Sequence, residues 1–426
     1  MVLKAARELF RDAAARRLAL VFAVVYFAQG MWDLPAQPMT FALKARFGFS
    51  ATQVATFFSV ITVPWLIKPA YGLLSDFVPL FGRRRKSYLM LTGALATAAG
   101  FVLSLLPEVT PWGMALLFTV MGLGLAFTDV VVDALMVEHG KRLQLTGAFQ
   151  SMQWAAINTA SVLVGIGGGA LTERGALRLA FFLAALFPLL SVTMAAFAIP
   201  EERVGRQIGQ FQATWTAIRG AVRSRPLWAV AGFILFWTFS PSIGTPLFFY
   251  QTDTLGFSQQ FIGTLSSLSS VAAIVGALAY AWISRRFALK AILNASIGIG
   301  VASTLAYLLY RDAISAILID VTFGSIGMIA TLSFLDLAAK ACPKQAEGTF
   351  FALLMSIYNG GMQGSQIIGG WLYDTLGYTW LILMSAAFSA LCWLLVPLVR
   401  VEQIEAQAAA PDVIEVAPPA APGPPP

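Results

Sequence analysis

The chain has 426 residues, of which 58% are hydrophobic and only 12% charged, with a net charge of +7 and a mean hydropathy of +0.75. Soluble domains carry about a quarter of their residues as charged side chains, so this composition excludes a water-solvated globular surface. One histidine, His139, and two cysteines, Cys342 and Cys392, leave neither a disulfide framework nor the ligands for a histidine-based metal or triad site.

Apolar runs of about 20 residues, long enough to cross a bilayer core as helix, recur along nearly the whole chain. Residues 1–17 place Lys4, Arg7, Arg11, Arg16 and Arg17 ahead of a run too long for a signal-peptide core. They read as a cytoplasmic N-terminus before an uncleaved first helix. Six spans follow within 18–200, at 18–40, 52–80, 87–106, 112–137, 145–171 and 178–199. The polar connection 201–226 contains FQATWTAIRGAVRS, in which Phe211, Trp215, Ile218 and Val222 share a helical face. It reads as an amphipathic helix on the inner membrane surface. Six further spans fill 227–400, at 227–250, 259–284, 288–310, 313–338, 348–373 and 379–399. The segment 401–426 is rich in Pro and Ala and reads as a disordered cytoplasmic tail.

With the N-terminus inside, most of the 28 lysines and arginines fall on the inner face. That asymmetry is the positive-inside pattern, and it accounts for the basicity without a nucleic-acid partner. It also puts both termini in the cytoplasm. The halves echo each other: Asp133 precedes Thr146-Gly147 as Asp336 precedes Gly348-Thr349, and each pair leads into a span ending in glycines. Parallel repeats of this kind mark two-bundle secondary transporters. The expected fold is an all-α membrane protein with about 12 transmembrane helices in two six-helix bundles.

Charged groups at bilayer depth are functional candidates by default. In the first span Gln29, Asp33 and Gln37 form a polar stripe at i, i+4, i+8 beside Pro35 and Pro38. Asp33 is the leading candidate for proton coupling. Lys68 lies within the second span before Pro69, placed to balance Asp33 or Asp129 or to attract a substrate carboxylate. Asp129 and Asp133 lie four apart on one helix face, and Asp129 is directed to the cavity and to coupling. Asp320, two turns inside the tenth span, is the third coupling candidate. Gln153, Trp154 and Asn158 of the fifth span, Trp237 of the seventh, and Asn359 and Gln363 of the eleventh supply amides and aromatic faces that suit a planar heterocycle.

Between the second and third spans runs GLLSDFVPLFGRRRK, residues 72–86. Its Gly72, Asp76, Gly82, Arg83, Arg84 and Arg85 resemble the loop signature of the major facilitator superfamily. The resemblance implies a cytoplasmic latch in which Asp76 faces the start of the eleventh helix at Gly348 and Thr349 and one arginine pairs with Asp133. The longer string PWLIKPAYGLLSDFVPLFGRRRKSYL, with TDVVVDALMVE at 128–138 and LAAKACPKQAEGTFFALLMSIYN at 337–359, resembles the folate–biopterin transporter family. The muropeptide permeases, which share F-G-R-R-R and an Asp-x-x-x-Asp in the fourth helix, are the nearest alternative.

These features imply a secondary transporter working by alternating access, energised by a proton or other ion, with a small organic solute as substrate. Resemblance points that substrate toward a pterin or folate-like anion. No nucleotide-binding loop is present, and an enzyme would lack a nucleophile–base pair. A non-transporting receptor or assembly factor is the remaining class. The expected protein is a monomer of the plasma (inner) membrane that needs the lipid bilayer and no cofactor.

Overall fold

The computed structural model describes residues 13–143, 145–199, 201, 225–284, 286–342 and 347–409. The expected linker helix at 211–222 lies outside them. Helices dominate from end to end. The first crossing is α1 (Ala13–Gly30), a 3-10 turn Met31–Asp33, and α2 (Ala36–Ala45). Pro35 and Pro38 lack the N–H groups a continuous helix would use there, and the break exposes Asp33 at its end. The second crossing is α3 (Ala51–Ile61), a 3-10 segment Val63–Ile67 carrying Pro64, and α4 (Lys68–Phe77). Ser50 and Gln53 form a reciprocal capping box at the start of α3. Then come α5 (Lys86–Leu105), α6 (Pro111–Leu143), α7 (Thr146–Glu173) and α8 (Leu177–Ala198).

The second half repeats the plan. Its first crossing is split into α9 (Arg225–Thr238) and α10 (Gly244–Asp253) around Pro241. The Pro241 carbonyl freed by that break accepts from Ser385 Oγ at 2.8 Å. There follow α11 (Gln259–Ile283), α12 (Leu289–Ala306), α13 (Ala313–Ala341), α14 (Glu347–Leu376) and α15 (Tyr378–Val399). Among the described residues nine helices are long and apolar enough to cross a membrane, or ten when α3 and the bent segment after it are taken as one crossing. The split α9–α10 and the long α14 fill the remaining positions of the expected pair of six-helix bundles.

One expectation fails at the tail. Residues Val401–Ala409 form a helix, α16. Val401 and Ile404 are buried with Leu289, Leu293 and Leu337, Glu402 pairs with Lys290 at 2.6 Å, and Glu405 lies 3.6 Å from Lys340. The hydrogen bond from Lys290 holds the Glu402 carboxyl below its ordinary range. Composition hid this because two apolar residues one turn apart suffice to seat a short helix on a preformed surface.

Among the described residues the bundles share a continuous core at one end. At the face opposite the basic loops, here the far face, Trp32, Met39, Phe57 and Phe118 of the first half pack in one cluster with Phe248, Phe249 and Ile262 of the second. At the basic end each half keeps its own core, around Phe22, Phe127 and Phe149 in one and Phe233, Phe334 and Leu354 in the other.

Small residues permit the closest approach. Gly165 and Gly169 on α7 face Gly263 and Ser267 on α11, and Ser267 Oγ donates to the Val162 carbonyl at 2.7 Å. Such small-xxx-small faces let helix backbones touch. A methyl group at Gly263 would stand 2.8 Å from the Gly169 Cα. Gly263→Ala is therefore expected to lower the melting temperature of the purified protein by a destabilisation of about 1–3 kcal/mol. Gly232→Ala, into open space on α9, is expected to leave it unchanged.

Candidate functional site

The loop after α4 is organised by one buried arginine. Arg85, 6% exposed at its side chain, places Nη2 2.6 Å from Asp76 and 2.5 Å from Glu138, and Nη1 2.9 Å from Ser75 Oγ. Glu201, just past α8, accepts from the backbone N–H groups of Arg84 at 2.7 Å, Arg85 at 2.9 Å and Lys86 at 2.7 Å, capping the start of α5. The expected partner was Asp133. The structure uses Glu138 instead, because Asp133 lies five residues, about 7.5 Å, deeper along α6. Gly72 faces Val130 on that helix, and Gly82 takes the positive φ of 74° that turns the loop. The Arg83 and Arg84 Nε atoms are buried without partners. Asp76 is engaged within its own bundle here; the side chain of Thr349 lies outside the described residues.

Deeper in the same bundle sits a charged cluster. Because the 3-10 segment ends at Ile67, Lys68 opens α4 and turns onto α6, with Nζ 2.5 Å from Asp129 Oδ2. Asp129 rather than Asp33 thus receives that charge. Asp133 accepts from the Tyr26 hydroxyl and from Gln153 Nε2, the latter at 3.4 Å. Gln153, expected to read substrate, is 2% exposed and holds this carboxylate. Tyr26 and Glu138 carried no signal in the sequence beyond lying near charged neighbours.

Asp33 has a different setting. With Gln37 it lines a cavity of about 400 Å³ between the bundles, together with Ser161 of α7 and Ser266 and Ser270 of α11. Gln37 Nε2 also donates to the Gln259 carbonyl at 2.7 Å across the bundle boundary. Below this, Trp32 stacks on Phe118 at 4.8 Å and lies 4.7 Å from Trp65, while Trp32 Nε1 and Gln29 Oε1 are buried without partners. Asn359 donates to the Trp65 carbonyl at 3.3 Å, and the Gln363 carbonyl accepts from Ser59 at 3.2 Å. The helix positions chosen on the eleventh span thus meet the second span directly. Trp154 is partly exposed, and Asn158 is tied to the Trp154 carbonyl on its own helix.

Two expected residues fall elsewhere. Trp237 packs on Phe334 at 4.5 Å and against Gly300 inside the second bundle. Asp320 is buried under two hydroxyls, Tyr310 at 2.9 Å and Tyr307 at 3.4 Å, with Gln251 bonded in turn to Tyr310.

The far face adds residues that the sequence gave no reason to choose. Asp374 at the end of α14 accepts from Ala51 and Thr52 N–H groups at 3.2 and 2.8 Å, capping α3 of the other half. Glu173 at the end of α7 does the same for α11, accepting from Gln260 N–H at 3.3 Å. Lys44 pairs with Asp253 between them. These polar contacts join the two halves at the face that the shared apolar core also closes.

Residues 29–403 match the BT1 family. The chain belongs to that family. It is 34% identical over 374 residues to the folate-biopterin transporter of Synechocystis sp., covering 83% of this chain and 74% of that protein. It is 23% identical over 385 residues to folate transporter 1 of Plasmodium falciparum, covering 88% and 75%. Among solved structures it resembles a D-xylose-proton symporter, with a TM-score of 0.68 at 14% identity over 91% of this chain and 99% of that one. A POT family transporter in complex with 5-aminolevulinic acid gives a TM-score of 0.70 at 14% identity, over 91% and 96%. The protein is an integral membrane secondary transporter of small organic solutes with the major facilitator fold, and not an enzyme.

Removing the trans cap should loosen the far face. Asp374→Ala is expected to cost about 0.5–2 kcal/mol of cap energy in this state and to favour the alternative one. A cysteine at Ser59, with Cys342 and Cys392 changed to serine, should then react several-fold faster with a membrane-impermeant thiol reagent. In the basic loop, Arg85→Ala should depress transport and melting temperature more than Arg84→Ala, because only Arg85 bridges two carboxylates.

Proposed function

We propose that this BT1-family protein carries a pterin or folate-like organic anion through alternating access coupled to proton movement. The observation that carries the reading is the inter-bundle cavity lined by Asp33, Gln37, Ser161, Ser266 and Ser270, whose volume falls in the range of small-molecule sites. The Trp32–Phe118 stack and Lys68 lie outside its lining in this state. Amides and serines suit the edge of a heterocycle, an aromatic face suits its plane, and Lys68 suits a carboxylate. The substrate class is the one for which the Synechocystis and Plasmodium relatives are named.

In this reading the protein sits in the plasma (inner) membrane, the positive-inside pattern supports basic loops and both termini on the cytoplasmic side, and this conformation is closed to the outside. Asp76 and the start of α14 then form the inner latch in the opposite state, when Gly72 and the Arg83–Arg85 loop approach Gly348 and Thr349. Asp33, Asp129 and Asp320 are the coupling candidates by depth. One chain holds both bundles and the space between them, so a monomer suffices.

The test is a melting-temperature screen of purified protein with folate, biopterin, a muropeptide and a sugar, since a ligand of the folded state raises the midpoint by mass action. Folate or biopterin is expected to stabilise, and Lys68→Gln to weaken that stabilisation at least tenfold in concentration. Stabilisation by the muropeptide with none by the pterins would overturn the substrate class.

A further inference from the structure

The cluster around Lys68 does not balance as it stands. Asp129 and Asp133 lie one turn apart on α6. Lys68 Nζ contacts Asp129 at 2.5 Å and is the cation that acts on both carboxylates among the described residues. The other groups facing them are neutral: Tyr26 from α1, which hydrogen-bonds Asp133 and reaches Asp129, and Gln153 from α7. Asp129 is 4% exposed, and Arg85, the next cation along the bundle, is committed to Asp76 and Glu138. Two ionised carboxylates with one ammonium would leave a net negative charge at this depth, at a desolvation cost of several kcal/mol.

We propose that Asp129, Asp133, Lys68 and Tyr26 form a proton-binding site, with Asp133 as its principal carrier, linked by charge balance to an anion at Lys68. The donors fit this assignment. Tyr26 and Gln153 both donate to Oδ1 of Asp133, which leaves Oδ2 to hold the proton. Lys68 is 17% exposed at its side chain whereas Asp129 is 5% exposed, so the ammonium is the member of the pair an entering anion can meet. An anion that draws Lys68 away deprives Asp129 of the one cation that meets it among the described residues, and the acidic pair then takes up a second proton. Release of the anion returns Lys68 to Asp129 and expels that proton. Substrate anion and proton thus move together without touching. The inference deepens the coupling reading above by moving its centre from Asp33 to Asp133, a residue the sequence directed to the latch.

The test needs no substrate. Infrared difference spectra of the purified protein in lipid, recorded through a pH titration, report the C=O stretch of protonated carboxyl groups. The wild type is expected to show a protonated-carboxyl band that disappears on raising the pH and is missing from Asp133→Asn. In Lys68→Gln the band should persist to higher pH, because the cation that favours ionisation is gone. Folding of each variant is checked by its melting transition, and Tyr26→Phe, which removes one hydroxyl only, serves as a milder second variant that should move the titration without abolishing it. An Asp133→Asn spectrum identical to that of the wild type, or a Lys68→Gln titration that does not move, would overturn the proposal. Failure of pterins to bind would leave these spectra untouched, so the two readings fail separately.

Discussion

A buried charge, or a helix-end N–H left without a helical partner, must be answered by the protein, and this constraint recurs from one face of the molecule to the other. At the basic end the half-exposed side chains of Asp76 and Glu138 answer the buried Arg85; deeper, Lys68 answers the buried Asp129. At the far face the exposed carboxylates of Asp374 and Glu173 answer backbone N–H groups at helix starts. Each answer ties a particular helix end to a particular neighbour. Hydrophobic contact alone would not, since lipid offers an apolar helix face the same welcome as another helix does.

The two halves use related solutions, which gives the repeat physical content. A carboxylate past the sixth crossing, Glu201, caps the start of α5; its counterpart past the twelfth, Glu405, accepts from Leu289 N–H at the start of α12. The halves diverge where function is concentrated. The first holds the charged cluster on α4 and α6. At the corresponding place in the second, Tyr280 meets Asp336 at 3.2 Å and Lys340 pairs with Asp336 from one turn along the same helix. Lys340 there lies within 3.6 Å of two partly exposed carboxylates, Asp336 and Glu405, whereas in the first half Asp129 is buried.

The order of the spans and the presence of charged groups at Lys68 and Asp129 within them were legible because hydropathy and buried charge are properties of the chain itself. Pairing was not. Whether Arg85 meets Asp133 or Glu138 depends on how far α6 extends past the loop, a register that hydropathy fixes only to within a turn. The contacts of Gln153 with Asp133 and of Trp237 with Phe334 were not legible for a common reason: an amide or an indole in a span has the same appearance whether it faces a cavity or a neighbouring helix. The far-face carboxylates were invisible because an acid at the end of a span reads as an ordinary solvated terminus.

The caps on the far face also shape how this sequence is free to drift. Glu173 is received by the backbone N–H of residue 260, a group that is present whatever non-proline side chain stands at that position. Ala51 offers Asp374 its N–H on the same terms. Thr52 differs, because its hydroxyl as well as its N–H donates to Asp374. Drift on the receiving side is therefore unequal: residues 51 and 260 hold their acids through backbone alone, whereas Thr52 is tied to its acid through a side chain as well.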